Sequence, residues 1–294
     1  MYFVNKLGMV LRKVRIWYNR LMNILYCGDE GIKRGILVSI LSILKHNKEA
    51  IHFYILTINY EDTKPFPEKT AKFLDKLVKK TNSKSFVKLI DATEIFIKDL
   101  PKKNMGSYFT PCSMLRLYID KVPEIAGLDR VLYLDYDVVC RGDLREFYDM
   151  DLIGVEASGV LDIYGRHFYH YHGIFNQDYM NSGVMLFNVA ECVKNGVFAK
   201  AVEFCKKRKM MLADQAALNK SIMKRKLVAR KYNEQSERPK KDTILHHFSN
   251  NFKFFPYFHV QKVKPFEVDK IHEVLKITEY DDILEEYDKL KEFL

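Results

Sequence analysis

The sequence lacks the long hydrophobic run that a membrane-spanning helix needs. Such a helix requires roughly 18 or more consecutive apolar residues, and even the stretch GILVSILSILK is shorter and is interrupted by serine. The chain is therefore predicted to be soluble, or at most peripheral to a membrane.

Cysteine is too sparse for a disulfide framework or a cysteine-based metal site. The five cysteines are odd in number and widely separated, and no C-x-x-C pair occurs, which excludes the usual zinc and dithiol redox motifs. Buried free thiols in a reducing compartment are the simpler interpretation, so a cytoplasmic location is predicted. The cysteines are Cys27, Cys112, Cys140, Cys192 and Cys205.

Familiar nucleotide and hydrolase motifs are also missing. The glycines of GDEGIKRG match neither G-x-G-x-x-G nor a P-loop, which excludes the usual dinucleotide cofactors and P-loop chemistry. Neither G-x-S-x-G nor H-E-x-x-H appears.

Positive charge is in excess. The 48 basic residues outnumber the 38 acidic ones, for a formal net charge of +10, and this favours anionic partners such as phosphates, nucleotides or an acidic membrane surface. Charge alone does not indicate nucleic acid, and no nucleic-acid partner is predicted.

Residues 1–21 contain basic and apolar residues but no acidic one. They fit a basic amphipathic helix in contact with an anionic membrane, a helix packed on the domain, or a disordered extension.

Strand and helix patterns alternate along the chain. MNILYC, IHFYILTIN and SFVKLIDA predict strands, separated by the helical patterns of GIKRGILVSILSILKHNK and EKTAKFLDKLVKKT. This rhythm predicts an α/β fold with a mostly parallel sheet flanked by helices. RVLYLD, DLIGVEA, YMNSGVMLFN and, as the last strand, TILHHF follow, with SMLRLYIDK, VFAKAVEFCKKRK and ADQAALNKSI as helices and ARKYNEQSERPKKD as a loop. Residues 22–258 are predicted to form the catalytic domain and residues 259–294 a helical tail.

Two carboxylates, Asp135 and Asp137, stand at the carboxyl end of the most hydrophobic strand. Ligands of open α/β sheets bind at that end. If the strand continues, both side chains point the same way, with Tyr136 opposite. Two crowded carboxylates repel each other unless a cation compensates their charge.

The type of ligand indicates which metal would bind. Oxygen ligands suit Mg²⁺ or Mn²⁺, and an added histidine favours Mn²⁺. The alternative is a turn in which Asp137 is only a cap. A carboxylate-bound metal in a basic protein predicts a phosphate-bearing substrate.

Six motifs in order give the chain a resemblance to glycosyltransferase family eight, over about residues 22–255. They are M-N-I-L-Y-C-G-D, M-L-R-L-Y-I, R-V-L-Y-L-D-Y-D-V-V, Y-M-N-S-G-V-M-L-F-N, A-D-Q-A-A-L-N and H-F-S-N-N-F-K. The resemblance implies a GT-A fold, which is a Rossmann-like mixed sheet flanked by helices. It also implies a UDP-sugar donor, Mn²⁺, and transfer of galactose or glucose, with retention of configuration, to a glycan, glycolipid or glycoprotein acceptor.

The same resemblance implies roles for individual residues. Asp135 and Asp137 match the metal-binding D-x-D. The third ligand matches His247, because the family places a diphosphate-binding lysine six residues later and Lys253 stands there. His246, its strand neighbour, is expected to point away and be structural.

Further matched positions surround the donor sugar. Asp214 and Asn181 match residues that hold the hydroxyls of the transferred sugar. Gln215 would lie beneath the anomeric carbon, either as a transient nucleophile or, as we favour, to steady an ion-pair-like centre. Asp162 resembles an acceptor-side aspartate, and GRHFYHYHG an aromatic acceptor loop. The remaining donor-binding candidates are Cys27, Asp29, Arg116, Tyr136 and Lys253, of which Asp29 could instead, or also, cap the following helix.

Two rival functions remain at this stage. A D-x-D phosphatase with an aspartyl nucleophile also places paired aspartates after a hydrophobic strand, although normally the first strand. A peripheral membrane scaffold could keep the same fold without turnover.

Overall fold

A computed structural model describes residues 21–105, 111–171, 177–253, 255, 257 and 259–294. The predicted basic amphipathic segment lies outside these residues, apart from Leu21.

A seven-stranded sheet forms the centre of the fold. The strands of the protein are β1 Met22–Cys27, β2 Ile51–Thr57, β3 Phe86–Asp91, β4 Arg130–Leu134, β5 Val138–Cys140, β6 Ala157–Leu161, β7 Met180–Asn188, β8 Arg225–Leu227, β9 Leu245–His247, β10 Asn251–Lys253 and β11 His259–Gln261. The order in the central sheet is β3-β2-β1-β4-β7-β6-β8. The strands β1 to β4 pair in parallel, β7 runs antiparallel to both of its neighbours, and β8 is parallel to β6. The predicted mixed, mostly parallel sheet is thus confirmed.

Helices connect the strands and cover the sheet. Their apolar positions explain where they form: in the second helix Ala71, Leu74 and Val78 are buried at helical spacing while the lysines between them face outward. The α-helices are α1 Lys33–His46, α2 Glu68–Thr81, α3 Thr93–Lys98, α4 Pro123–Ala126, α5 Arg145–Tyr148, α6 Gly165–Phe168, α7 Val189–Asn195, α8 Val197–Lys207, α9 Ala213–Ser221, α10 Val268–Lys270 and α11 Asp281–Leu290. Shorter or tighter helical segments are the 3₁₀-helices Glu30–Ile32, Lys102–Asn104, Pro111–Lys121, Arg230–Tyr232 and Lys291–Phe293 and the π-helix Ile271–Leu275.

Two strand predictions were wrong. DLIGVEA forms no strand before its last residue, because Gly154 adopts φ +67° and Glu156 turns its carboxylate to the backbone N–H groups of Met223 and Lys224. The strand there begins only at Ala157. TILHHF contains β9 but is not the last strand, because the antiparallel pair β10–β11 follows it.

Alternating side chains of each central strand build two cores, one on each face of the sheet. In β1, Ile24 and Tyr26 lie in one hydrophobic cluster, whereas Leu25 and Cys27 lie in the other. The apolar face of α11 buries its side chains in the first cluster, against α1. The predicted tail therefore shares its core with the sheet.

No helix within the described residues has the length and hydropathy that crossing a bilayer demands.

Candidate active site

The two aspartates lie in a turn at the carboxyl end of β4. The strand ends at Leu134, where Asp135 N donates to Gly183 O of β7 (2.8 Å) and Val138 N donates back to Asp135 O (3.2 Å). The condition under which both side chains would share a face, a continuing strand, is therefore not met. The carboxylates still meet the same partner, because β5 pairs with β9 and sets Val138 opposite His247.

Asp135, Asp137 and His247 converge as a group that could hold a metal ion, with one ligand atom of each within 4.8 Å of the others. His247 Nε2 lies 3.3 Å from Asp137 Oδ1 and 3.7 Å from Asp135 Oδ2. The second oxygen of each carboxylate is held from behind. Asp135 Oδ1 accepts from Arg116 (2.9 Å) and from the Tyr133 hydroxyl (2.6 Å), and Asp137 Oδ2 accepts from Lys264.

This arrangement fits a divalent cation. Two carboxylate oxygens and an imidazole nitrogen form a donor set suited to Mn²⁺ or Mg²⁺, and adjacent ligands of an octahedral ion stand about 3 Å apart, close to the spacing here. Gly183 makes the approach possible, because a Cβ atom there would lie 2.2 Å from His247 Cε1 and 2.8 Å from Asp135 Oδ2. The buried His247 Nδ1 has no hydrogen-bond partner among the described residues.

Asp137, Lys264 and His247 shift one another's pKa values. Burial alone would raise the pKa of Asp137, but Lys264 and His247 hold it well below its usual range. Burial opposes the charged forms of Lys264 and His247, and Asp137 nevertheless raises the pKa of both. The site is thus organised around one strongly anionic carboxylate, which suits a cation.

Arg116 provides positive charge next to two carboxylates of the site, Asp135 and Asp214. Its buried guanidinium donates to Ser182 O (2.9 Å), and it pairs with Asp135 (2.9 Å) and with Asp214 (3.2 Å). Burial lowers the pKa of Arg116, but the neighbouring carboxylates raise it above its ordinary value. Burial also raises the pKa of Asp214, and Arg116 opposes that shift. Arg116 therefore connects the candidate metal ligand to the candidate sugar-binding aspartate.

Gln215 lies in a buried hydrogen-bond network. Its Oε1 accepts from Ser182 N (2.9 Å), and its Nε2 donates to Asp162 Oδ2 (3.2 Å). Asn181 Nδ2 donates to the same Asp162 oxygen (2.9 Å), while Asn181 Oδ1 accepts from Asn233 (2.9 Å). The structure thus brings the predicted Gln215, Asn181 and Asp162 together.

Three further donor-side candidates lie at or just after the carboxyl ends of β1 and β4. Asp29 accepts from Gly31 N (2.8 Å) and caps the 3₁₀-helix Glu30–Ile32, as its alternative role predicted. Cys27 is buried at the end of β1, and burial raises its pKa. Tyr136 occupies the turn between the aspartates, and burial raises its pKa to about 12.

His246 and His247 point to opposite sides, as predicted. His246 bonds the Tyr280 hydroxyl (2.7 Å) and Ser236 O (2.9 Å), and burial lowers its pKa to about 4. It is a neutral, structural histidine.

The lysine that contacts the site is one that the sequence patterns did not single out. Lys264 reaches Asp137, whereas Lys253 is paired with Glu237. The only sequence signal for Lys264 was its place in V-K-P-F, beyond the residues that the motifs cover. Ser182, Gly183 and Tyr133 were also missed, although each stands inside a motif string.

Solved structures share this fold. LgtC, a galactosyltransferase solved in complex with donor and acceptor sugar analogues, covers 93% of this chain over its full length, with a TM-score of 0.65 and 16% identity. An active-site mutant of LgtC gives a TM-score of 0.67 at 17% identity, with the same coverage of both chains. The expected GT-A fold is confirmed.

Several sequence relatives are named as lipopolysaccharide glycosyltransferases. The chain is 28% identical over 231 residues to a lipopolysaccharide 1,2-glucosyltransferase of Escherichia coli, which covers 76% of the chain and 65% of the relative. It is 29% identical over 230 residues to a lipopolysaccharide 1,3-galactosyltransferase of Salmonella typhimurium, covering 72% and 63%. The chain thus spans less than two thirds of the length of these relatives. The family model described as glycosyl transferase family 8 matches residues 23–265, and the chain therefore belongs to glycosyl transferase family 8.

Proposed function

We propose that this protein is a retaining, metal-dependent hexosyltransferase that moves galactose or glucose from a UDP-sugar to a glycan, glycolipid or glycoprotein acceptor. One observation carries the proposal: the Asp135, Asp137 and His247 group is joined to Gln215 by hydrogen bonds through Arg116 and Ser182. The cation-binding group and the amide proposed to face the sugar are then neighbours, and a nucleoside diphosphate sugar needs adjacent groups for its diphosphate and its sugar. The lipopolysaccharide glucosyl- and galactosyltransferases among the relatives support a hexose donor.

Asp135, Asp137 and His247 would hold Mn²⁺, with Mg²⁺ as the alternative. The bound ion would neutralise charge on the departing diphosphate. The protein's own contribution is orientation. Arg116 and Lys264 each hold one oxygen of an aspartate, so that the other oxygen faces His247, and such supporting contacts set ligand geometry.

The donor sugar would lie between the metal group and Gln215. Asn181 and Asp214 would bind its hydroxyls, and Cys27, Asp29, Arg116 and Tyr136 would line the nucleotide side. Because Gln215 Oε1 already accepts from Ser182 N, and an amide is a weak nucleophile, we assign Gln215 to steadying the anomeric centre. Asp162 would face the acceptor hydroxyl.

The experiment that tests this function measures UDP release by the purified protein. UDP-galactose and UDP-glucose are supplied with Mn²⁺, with Mg²⁺ or after chelation, and thermal shifts are recorded in parallel. We expect metal-dependent UDP release from at least one donor, and its loss on chelation. Binding of UDP-sugars without turnover would instead identify a non-catalytic member of the family, and phosphate release from phosphomonoesters would favour the phosphatase.

Substitution of either of two lysines, Lys264 and Lys253, provides a sharper test of the site. We assign diphosphate binding to Lys264, which contacts the metal-site aspartate, with Lys253 as the alternative predicted from spacing. Lys264→Met is expected to lower kcat/KM for the UDP-sugar by about 10²-fold, since it removes a buried charge that acts on the departing group. Lys253→Met, the matched control, should stay within about twofold because Lys253 is half-exposed and a surface pair contributes little. The reverse order of the two effects would assign the role to Lys253.

Attachment to the inner face of a membrane is proposed for the basic residues 1–21, in a protein located in the cytoplasm. Their charge and apolar spacing support this, because two signals, basic charge and an apolar face, stabilise binding to anionic lipid.

A further inference from the structure

A hairpin separates the candidate metal ligand His247 from Lys264. It consists of β10 and β11, which pair antiparallel with Phe252 opposite Val260. Both ends are fixed at the metal site: Phe248 N donates to Asp137 O (3.0 Å), and Lys264 donates to Phe248 O (3.3 Å). The base of the hairpin is therefore held at the metal-binding group.

The hairpin also contacts the acceptor side of the site. The Phe252 ring packs edge-on against Tyr164, with ring centroids 4.7 Å apart, and Phe252 N donates to the Tyr164 hydroxyl (3.2 Å). Tyr164 N in turn donates to Asp162 Oδ1 (3.0 Å), and the other Asp162 oxygen bonds Gln215. The hairpin is thus linked through Tyr164 to the side of the site where the acceptor is expected.

Beyond these anchors the hairpin presents aromatic rings to solvent. Phe255 is 89% exposed and Tyr257 is 69% exposed. Aromatic rings combine a large apolar face with few rotatable bonds, and a pair of exposed rings beside a site is a typical recognition surface. A pyranose ring offers a complementary face of C–H groups.

The surroundings favour a sugar over a lipid surface. Lys253, within the hairpin, is paired with Glu237, so that its positive charge is compensated. Binding to anionic membranes depends on such charge together with apolar area. Phe252, three residues before Phe255, contacts Tyr164 and thereby holds this part of the hairpin beside the turn of Asp162.

We propose that Phe255 and Tyr257 form an acceptor platform that stacks on a second sugar ring of an oligosaccharide acceptor, next to the ring that receives the hexose. The inference rests on the proposed glycosyltransferase function and adds the acceptor class: a glycan of at least two rings, in preference to a monosaccharide.

The test compares mono- and disaccharide acceptors. Lactose is paired with galactose, and maltose with glucose, in transfer assays. We expect the wild-type protein to show an acceptor KM at least about 10-fold lower for one disaccharide than for its monosaccharide, the gain of a stacked ring. In Phe255→Ser combined with Tyr257→Ser, this disaccharide KM should rise about 10-fold while kcat and acceptor-free UDP release stay unchanged. Phe255→Tyr with Tyr257→Phe should retain the preference.

Controls separate this inference from other causes. Ile153→Ser, at an equally exposed apolar residue on a loop, should change neither KM. Unchanged disaccharide KM in the double serine variant, or no disaccharide preference in the wild type, overturns the platform. Loss of binding to vesicles of equal parts phosphatidylglycerol and phosphatidylcholine, with unchanged acceptor KM, also overturns it and assigns the rings to lipid. Saturation-transfer NMR with the same disaccharides measures binding without turnover. If the protein releases no UDP but binds the disaccharide through Phe255 and Tyr257, the proposed function is contradicted and the acceptor platform is supported.

Discussion

Asp137→Asn is expected to lower metal-dependent UDP release by at least about 10²- to 10³-fold, the scale on which a central electrostatic group contributes to catalysis. Asp137 is 4% exposed, and its two oxygens face His247 and Lys264. Asparagine keeps the shape of the side chain but removes the negative charge that would bind the cation. The effect should therefore appear first in metal binding.

Two measurements check this expectation. Mn²⁺ affinity, measured by electron paramagnetic resonance of the free ion, should fall more than about 10-fold, and steady-state UDP release should fall with it. The metal-free protein should also unfold at lower temperature, because Lys264 loses its partner and an unpaired buried charge is costly. Asp151→Asn is the matched control: Asp151 is exposed and its carboxylate accepts from Ile153 N, so asparagine should preserve binding, turnover and stability. Unaltered Mn²⁺ affinity in Asp137→Asn would rule out the assigned ligand set.

Gln215→Ala is expected to reduce kcat by about 10²-fold while the affinity for the UDP-sugar changes much less. The side chain bridges Ser182 N and Asp162 across the position proposed for the anomeric carbon. The Gln215 side chain forms hydrogen bonds with Ser182 and Asp162, and not with the metal-binding aspartates among the described residues. Its loss should therefore act on the reacting centre more than on diphosphate binding.

Steady-state kinetics together with calorimetric titration of UDP separates the two effects. Removing the amide also leaves the buried Ser182 N without its partner, at a cost of about 1–3 kcal/mol in the free energy of unfolding, so thermal unfolding is recorded for each variant. Gln177→Ala, at an exposed glutamine, provides the control. A Gln215→Ala protein that binds UDP-sugar far more weakly yet turns over normally at saturation would contradict the assigned role.

Local patterns predicted most of the regular structure. The helix over Glu68–Thr81 and the strands of the first parallel units follow from periodicity, because burial on one face repeats every 3.6 or 2 residues. DLIGVEA failed because its apolar residues lie around a glycine at positive φ and a buried Glu156 that bonds backbone N–H groups. Neither feature is visible in hydrophobic periodicity.

The site was predicted from motifs rather than from patterns of hydrophobicity. Asp135, Asp137 and His247 were named in advance, and the structure brings them together. Lys264 was not named, because it lies 127 residues from Asp137 in the chain and its one local signal, the string V-K-P-F, stands beyond the residues that the motifs cover.

The sequence by itself determined the kinds of side chain available: carboxylates after a buried strand, a histidine pair with opposite environments, and a βαβ rhythm that collects strand ends at one edge. Tertiary structure decided which of these meet. Pairing of β5 with β9 places His247 next to the Asp135–Asp137 turn, and Gly183 leaves room for the His247 ring. The chain that returns after the β10–β11 hairpin brings Lys264 into contact with Asp137. The physical reason is that strand pairing and ion pairing depend on distances in space between segments far apart in the chain, and periodicity and spacing report only on near neighbours in the chain.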